Sequence, residues 1–406
     1  MRYIYKIFHE KDRTQFEKEY QQRISFPTTI LLGLKIKPQD QPNEYELYYV
    51  PTNKIISLVS MVQVISREIK RTFDALPPVA KRQFILECLV EELYNTNDLE
   101  GVRSTREEIA RSAREVKLNK NSKHRFKSMI KSYMRLSNGD ISLPKVPQDF
   151  RKIYDDITQG EIEDRKLPDG DIFRKDVTFI LKKSGSGKVI HTGLTPEDRI
   201  KTEAGNLIDF MDRDDIPMLI KVAVGHYFFG YIHPFYDGNG RSSRFISSMY
   251  LKDELGDIAT LSVSRGCNKF RTKYLESFEI TNSIRNKGEM NCFIEKFLSI
   301  ILEALKEMIS EMKEKYELMN IALEKIENEP KLENQPDKHR NIMFIIAQNY
   351  FFDSSKGITV RELSEESDLS EATIRKVVNK LLDLSLIEQT GKRPIYLSIK
   401  KQYFEN

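Results

Sequence analysis

From His233 to Arg244 the chain reads His-Pro-Phe-Tyr-Asp-Gly-Asn-Gly-Arg-Ser-Ser-Arg, which brings an imidazole, a carboxylate, two glycines around an amide and two arginines into twelve residues. An apolar run with helical spacing, Ile216 to Ile232, precedes this segment, and Phe245, Ile246, Met249 and Leu251 resume that spacing after it. The segment is therefore a loop between two helices, with Gly238, Asn239 and Gly240 at the N-terminus of the second. Unpaired backbone N–H groups and the helix dipole favour an anion there. Arg241 and Arg244, one turn apart, add charge suited to a polyphosphate. Asp237 beside such a site suits Mg2+ bridging phosphates, and His233 offers a base near neutral pH. Together these parts point to nucleotidyl or phosphoryl transfer.

The elements that must position this loop are mostly helical. Residues 1 to about 55 mix short alternating apolar stretches (Thr28 to Ile36, Tyr45 to Tyr49) with polar turns and predict an extended or irregular lead-in. Helical spacing begins at Ile55 to Phe73, breaks at Pro77-Pro78, and resumes with a stripe of Phe84, Ile85, Cys88, Leu89 and Leu93, leaving Lys81, Arg82, Glu91 and Glu92 largely on the opposite face. Thr96 and Glu100 follow at i and i+4, and Gly101 reads as a helix terminator. Ser104-Thr105-Arg106-Glu107 is a capping signal for another helix, and further helices are expected at 118–137 and 147–158. The period then changes. Val177 to Leu181 and Val189 to Thr192 read as the strands of a hairpin joined by a Gly/Ser turn at 182–188. Gly185-Ser186-Gly187-Lys188 fails the phosphate-loop pattern, since Lys182 stands where the first glycine belongs and Val189 where Ser or Thr belongs. Helices at about 195–212 and 216–232 lead into the motif, and more follow around Phe270 to Phe278 and Phe293 to Asn328.

The segment His233–Arg244 resembles the signature of Fic-domain proteins, His-x-Phe-x-(Asp/Glu)-Gly-Asn-Gly-Arg-x-x-Arg, with every specified position matched. The resemblance, over roughly residues 80 to 300, implies transfer of AMP from ATP to a Ser, Thr or Tyr hydroxyl of a protein. It makes His233 the general base, gives Mg2+ to Asp237, gives phosphate oxygens to Gly238, Asn239 and Gly240, and gives the β- and γ-phosphates to Arg241 and Arg244. Pro234 and Phe235 are structural, and His226 belongs to the core or supports the site. The kinase-like branch of the family carries lysine at the place of Gly240, so glycine favours AMP as the group transferred. Thr96-Asn97-Asp98-Leu99-Glu100-Gly101 resembles the family's inhibitory motif, (Ser/Thr)-x-x-x-Glu-(Gly/Asn). By that likeness Glu100 pairs with Arg244 and hinders binding of the γ-phosphate. Tyr274 and Asn282 resemble adenine-pocket positions, although the stretch after Asn282 is longer than the family pattern. The hairpin at about 177–192 corresponds to the family's flap, so Ile190, His191 and Thr192 are expected to align a target segment.

Residues 338 to 406 carry their own pattern. Ile342, Phe344, Ile345 and Ile346 mark a helix. A Thr359–Glu362 capping box and a helix with Ile374, Val377, Val378, Leu381 and Leu382 follow. A basic turn, Gly391-Lys392-Arg393-Pro394, then leads to a strand at Ile395 to Ile399. This succession resembles a winged helix-turn-helix domain; Arg375, Lys376, Lys380, Lys392 and Arg393 could contact DNA phosphates, but Glu371 and Asp383 dilute them, and a protein-docking or dimerising role is the stronger alternative. The expected organisation is thus mainly α: lead-in 1–75; a Fic-type core at 76–328 with inhibitory segment about 80–101 and flap about 177–192; linker 329–337; winged helix 338–406.

With 406 residues, 39% apolar and 31% charged, two or three domains are expected, and a net charge of +4 gives no whole-chain case for nucleic acid. Cys88, Cys267 and Cys292 lack metal-ligand spacing, which argues against a disulfide framework or zinc site and suits a reducing cytoplasm. The N-terminus meets charge too early for a signal peptide and no run suits a membrane span, so a cytoplasmic protein is expected. The cofactor and substrate implied are Mg2+ and ATP. The partners are a target protein, the chain itself as acceptor, and a second copy in a homodimer. Two alternatives stay open: a nucleotide-sensing DNA-binding regulator with a catalytically quiet fold, and removal of AMP by the same site.

Overall fold

The computed structural model describes residues 1–38, 41–117, 125–181, 189–352 and 357–405; the Gly/Ser turn expected at 182–188 and the start of the helix expected at 118 lie outside them. Two compact units emerge. The first comprises Met1–Arg67 with Leu89–Lys306, and the second Glu68–Cys88 with Glu307–Asn406.

The first unit begins with helices, not with the extended lead-in expected. A short α1 (Ile4–Ile7) precedes α2 (Arg13–Ile24), whose N-cap Asp12 accepts from Gln15 N. Phe16, Tyr20 and Arg23 are its buried face at i, i+4 and i+7. Only then come the strands β1 (Ile30–Ile36) and β2 (Tyr45–Tyr49), an antiparallel pair in which Leu32, Leu34 and Ile36 face inward. Helix α3 (Asn53–Ala75) follows, and α4 (Pro78–Glu100) closes with Gly101 at φ +78, whose neighbour Val102 N returns to Asn97 O. The C-terminal turns of α4 lie in the first unit. There Glu92, expected on the polar face, is fully buried. Helix α5 (Arg106–Lys117) is capped by Thr105 rather than Ser104, its hydroxyl accepting from Glu108 N at 3.1 Å.

Helices α6 (Lys127–Asn138) and α7 (Pro147–Thr158) pack together and lead, through a 3-10 turn at Asp164–Lys166, to the hairpin β3 (Phe179–Leu181) and β4 (Val189–Thr192). Its register pairs Phe179 with Thr192 and Ile180 with His191. Helices α8 (Glu197–Met211), α9 (Met218–Ile232) and α10 (Asn239–Leu255) follow. Helix α9 is buried on nearly all faces, which is why its sequence is apolar throughout rather than striped. Its closest partner α10 is just as buried yet rich in serine. Ser242 Oγ returns to Gly238 O at 3.0 Å, Ser247 Oγ to Ser243 O at 2.8 Å, and Ser248 Oγ donates to Thr260 O at 3.0 Å, so the small hydroxyls sit in the core without orphaned donors. Helices α11 (Val263–Lys269), α12 (Arg271–Thr281) and α13 (Asn291–Glu327) complete this part of the chain.

The second unit contains α14 (Lys338–Phe352), α15 (Val360–Ser367), α16 (Glu371–Asp383), the antiparallel pair β5 (Ile387–Thr390) and β6 (Tyr396–Ile399), and a terminal α17 (Gln402–Glu405). Thr359 and Glu362 form the expected capping box. Residues 329–337 do not behave as a linker. They hold a 3-10 turn, Pro330–Leu332, and Leu332 is fully buried with Ile326, Ile342, Ile346 and Leu381. The polar composition there masked one apolar anchor. Among the described residues, no helix is long and apolar enough to cross a membrane.

Candidate active site

The site lies where α9 gives way to α10, within the first unit. Helix α9 stops because His233 turns left-handed, at φ +50, while its N–H still bonds Phe229 O. The loop then folds over an aromatic plug. Phe235 is fully buried and stacks on Tyr154 from α7, with ring centroids 3.9 Å apart. Asn239 locks this loop with both ends of its amide: Oδ1 accepts from Phe235 N at 2.9 Å and Nδ2 donates to Phe235 O at 2.7 Å. Its side chain is therefore a staple of the loop, which leaves its backbone N–H as the group it can offer to phosphate. Gly238, at φ +79, begins α10, and a Cβ there would also press on Tyr154 and Thr158 at 3.1 Å.

His233 is half-buried, and its imidazole makes only a 3.4 Å contact from Nδ1 to Gly230 O. Desolvation, with His191 and Arg174 adding positive charge, brings its pKa down to about 3. The ring is thus neutral throughout the physiological range. Asp237 accepts from Gly238 N at 2.7 Å with Oδ1 and from Lys166 Nζ at 3.1 Å with Oδ2. Lys166 comes from the 3-10 turn before the hairpin and carries no sequence signal that links it to the motif.

The two arginines differ sharply. Arg244 is held by α4: Nε donates to Thr96 Oγ1 at 2.9 Å, and Nη2 donates to Thr96 O at 3.2 Å and to Glu100 Oε1 at 2.8 Å. Burial opposes its charge, and the nearby Glu100 carboxylate outweighs burial, so its pKa is raised overall. Glu100 is the last residue of α4, placed there by the stop at Gly101. A Cβ at Gly240 would collide with Glu100 Oε1, so this glycine makes room for the carboxylate. Arg241 is equally buried, at 2% exposure, yet its Nε and Nη1 have no hydrogen-bond partner; Nη2 lies 3.8 Å from Asp237 Oδ1. Buried donors without acceptors are rare and point to a missing ligand. These donors lie one turn into α10, beside its anion-favouring N-terminus.

Residues 144–251 match the Fic/DOC family model. This segment is a Fic/DOC family domain. The chain is also similar to a Fic family protein from Desulfovibrio desulfuricans, with 18% identity and a TM-score of 0.52 over 87% of this chain and 98% of that one. That likeness shows a shared fold over most of the length. Fic-1 from C. elegans matches at 14% identity and a TM-score of 0.42, covering 64% of this chain and 74% of that one. A Fic domain containing signaling protein from Bacteroides thetaiotaomicron matches at 16% identity and 0.42, covering 64% and 97%. Fic domains generally transfer a nucleoside monophosphate to proteins.

Against the Fic pattern, several sequence expectations shift. Tyr274 is buried, its hydroxyl 2.7 Å from His226 Nε2, and His226 Nδ1 lies against Ser247 Oγ at 2.8 Å and Ser243 Oγ at 2.9 Å. Tyr274 therefore joins a core network under the Fic motif helix rather than an open adenine pocket. Burial holds His226 neutral, with a pKa near 3. Asn282, partly exposed at the end of α12, accepts from Tyr227 OH at 2.7 Å. In the hairpin, Ile190 and Thr192 are partly exposed, but His191 turns inward and donates from Nε2 to Tyr231 O at 2.6 Å, which ties the hairpin to the last turn of α9. Sequence reasoning missed Glu92. Its carboxylate takes Ser264 N at 3.0 and 2.8 Å and Ser264 Oγ at 2.6 Å, and burial pushes its pKa up to about 7. The signal was present: Glu92, Thr96 and Glu100 repeat every four residues along one helix face.

Proposed function

We propose that this protein is an adenylyltransferase that moves AMP from ATP to a Ser, Thr or Tyr hydroxyl of a protein, itself included, and that Glu100 holds it off. The observation that carries this reading is Arg241, a buried guanidinium whose free donors require an anion beside the α10 N-terminus. His233 Nε2 takes the proton of the acceptor hydroxyl while Nδ1 stays toward Gly230 O. The hydroxyl oxygen bonds to the α-phosphorus, the bond from that phosphorus to the oxygen bridging to the β-phosphate breaks, and pyrophosphate leaves with its electron pair. Arg241 and the backbone N–H groups at Gly240 and Arg241 are set to meet the growing phosphate charge. Asp237, with carboxylate oxygens reachable at the surface of the loop, would hold Mg2+, which neutralises phosphate charge when bound. Gly240 leaves the space that the lysine of the kinase-like branch fills, which favours AMP as cargo.

Autoinhibition rests on Arg244. With Thr96 and Glu100 holding Nε and Nη2, those donors are not offered to a γ-phosphate. Glu100→Gly should raise auto-adenylylation with labelled ATP, with mass spectrometry identifying AMP as the added group; an unchanged rate would remove Glu100 as inhibitor. Adding His233→Ala to that variant should abolish transfer in a protein that still folds.

The elements α14 to α16 with β5 and β6 support a winged helix-turn-helix reading of the C-terminal unit. Arg375, Lys376 and Asn379 are exposed on α16, and Lys392 and Arg393 in the turn between the strands. A gel shift with genomic fragments, with and without ATP, distinguishes a DNA-binding regulator from an enzyme with a protein-docking tail. Incubating an AMP-modified target with the unaltered protein tests the removing direction.

A further inference from the structure

Arg174 has no exposed surface, and its guanidinium is committed to carbonyl oxygens. Nε donates to His233 O at 2.9 Å, Nη2 to Leu194 O at 2.8 Å and Nη1 to Asp176 O at 2.5 Å. Its own N–H donates to Pro234 O at 3.2 Å. Among the described residues no carboxylate pairs with it, and burial pulls its pKa down to about 10. Burying a cation without a counter-ion is costly, so this fork does something a neutral donor does not. It gathers carbonyls from two stretches of chain at once: Asp176 and Leu194 on either side of the hairpin, and His233 in the motif loop.

His233 needs such a restraint. A left-handed backbone is unfavourable for an L-residue, and the imidazole has one long contact to steady it. Gly193, one residue beyond β4, completes the fit. A Cβ there would collide with Arg174 Nη2 and sit 3.1 Å from His233 Cβ. The His233 Cβ thus lies close against the hairpin's root, with Arg174, His191 and Asp237 as the charged or titratable groups acting on the imidazole.

We propose that Arg174 is a positioning residue for His233: it fixes the left-handed backbone of the base and ties its placement to the β3–β4 hairpin. The proposal rests on His233 being the base. Its test uses full-length Glu100→Gly protein carrying Arg174→Gln or Arg174→Lys, with kinetics in ATP and an NMR titration of labelled histidines, His233 being assigned by its loss in His233→Ala. Arg174→Gln should lower kcat about 100-fold, the scale of a displaced catalytic group, with KM for ATP within about twofold. His233 should titrate higher than in the parent, and Arg174→Lys should restore part of kcat. A folded Arg174→Gln protein with unchanged kcat and an unmoved His233 titration overturns the proposal. So does an equal loss in kcat and ATP affinity without a titration shift. Should Arg174→Gln not fold, Gly193→Ala must give the same signature, and its absence counts equally against the idea. If the Glu100→Gly parent transfers no AMP at all, the adenylyltransferase reading fails, while the His233 titration still decides the role of Arg174.

Discussion

Arg241 sits in a state that favours a ligand over stability. Two buried donors without partners each carry a desolvation cost of about 1–3 kcal/mol, which an anion would recover. Replacing the guanidinium by an apolar side chain of similar length should therefore have opposite effects on the two properties. Arg241→Met is expected to raise the thermal midpoint of the ligand-free protein and to weaken ATP binding at least tenfold, or roughly 1.4 kcal/mol, by calorimetry in the Glu100→Gly background. A midpoint that falls with ATP affinity intact would show that Arg241 is held for packing. His233 offers a second test at this scale. Its pKa, near 3 by desolvation first and neighbouring positive charge second, leaves it a weak base until negative charge arrives. Adding ATP should move its NMR titration upward, and a titration indifferent to ATP would argue that the triphosphate binds elsewhere.

At the scale of elements, α4 works as one ruled face. Glu92, Thr96 and Glu100 stand a turn apart, and all three reach α10 or the start of α11 through hydrogen bonds or, for Glu92, through Ser264 and the field of Arg244. The approach is close enough that Gly240 has no room for a Cβ beside Glu100. Gly240→Ala should therefore push the Glu100 carboxylate off Arg244 and loosen the last turn of α4. Hydrogen exchange at residues 96–102 should accelerate in that variant, with α9 unaffected. Unaltered exchange there would mean the carboxylate finds another route to Arg244.

For the whole molecule, pH dependence follows from buried groups whose charge states are set by the fold. His191, His226 and His233 have pKa values lowered to about 4, 3 and 3, chiefly by desolvation. In the unfolded chain each takes up a proton near 6.5, so between that pH and their folded values the unfolded state binds more protons. Stability is then present above about pH 6.5 and lost as pH falls, each unit of offset being worth about 1.4 kcal/mol per group. Glu92 acts oppositely. Raised to about 7 by burial, it favours the fold below its unfolded pKa and loses that contribution as pH rises through 7. Three histidines outweigh one glutamate in the shared window. Urea midpoints should fall from pH 6.5 to pH 4.5, and Glu92→Gln should steepen that fall while removing the decline between pH 6.5 and 8. A midpoint constant across pH 4.5 to 6.5 would contradict the neutral burial of these rings.

The sequence alone determined the parts whose information is local. The Fic motif is read from contiguous residues because a loop ending in a helix N-terminus is built within twelve positions. Helix α9 is legible from its unbroken apolar run, the α15 cap from Thr359 and Glu362, and the hairpin strands from their change of period. Helix α2 was missed because Phe16 and Tyr20 are outnumbered by charged neighbours on the solvent face, and Leu332 because one apolar anchor hardly alters a polar stretch. Tertiary structure decided the rest, since proximity across the chain leaves no trace in spacing. It separated Arg241, left with free donors, from Arg244, paired through Nε and Nη2 to a helix some 140 residues earlier in sequence. It turned Tyr274, expected at an adenine pocket, and His191, expected to align a target segment, into core hydrogen-bond partners. It also placed Arg174 against His233, a contact that a distant arginine gains only when a hairpin folds back on the loop.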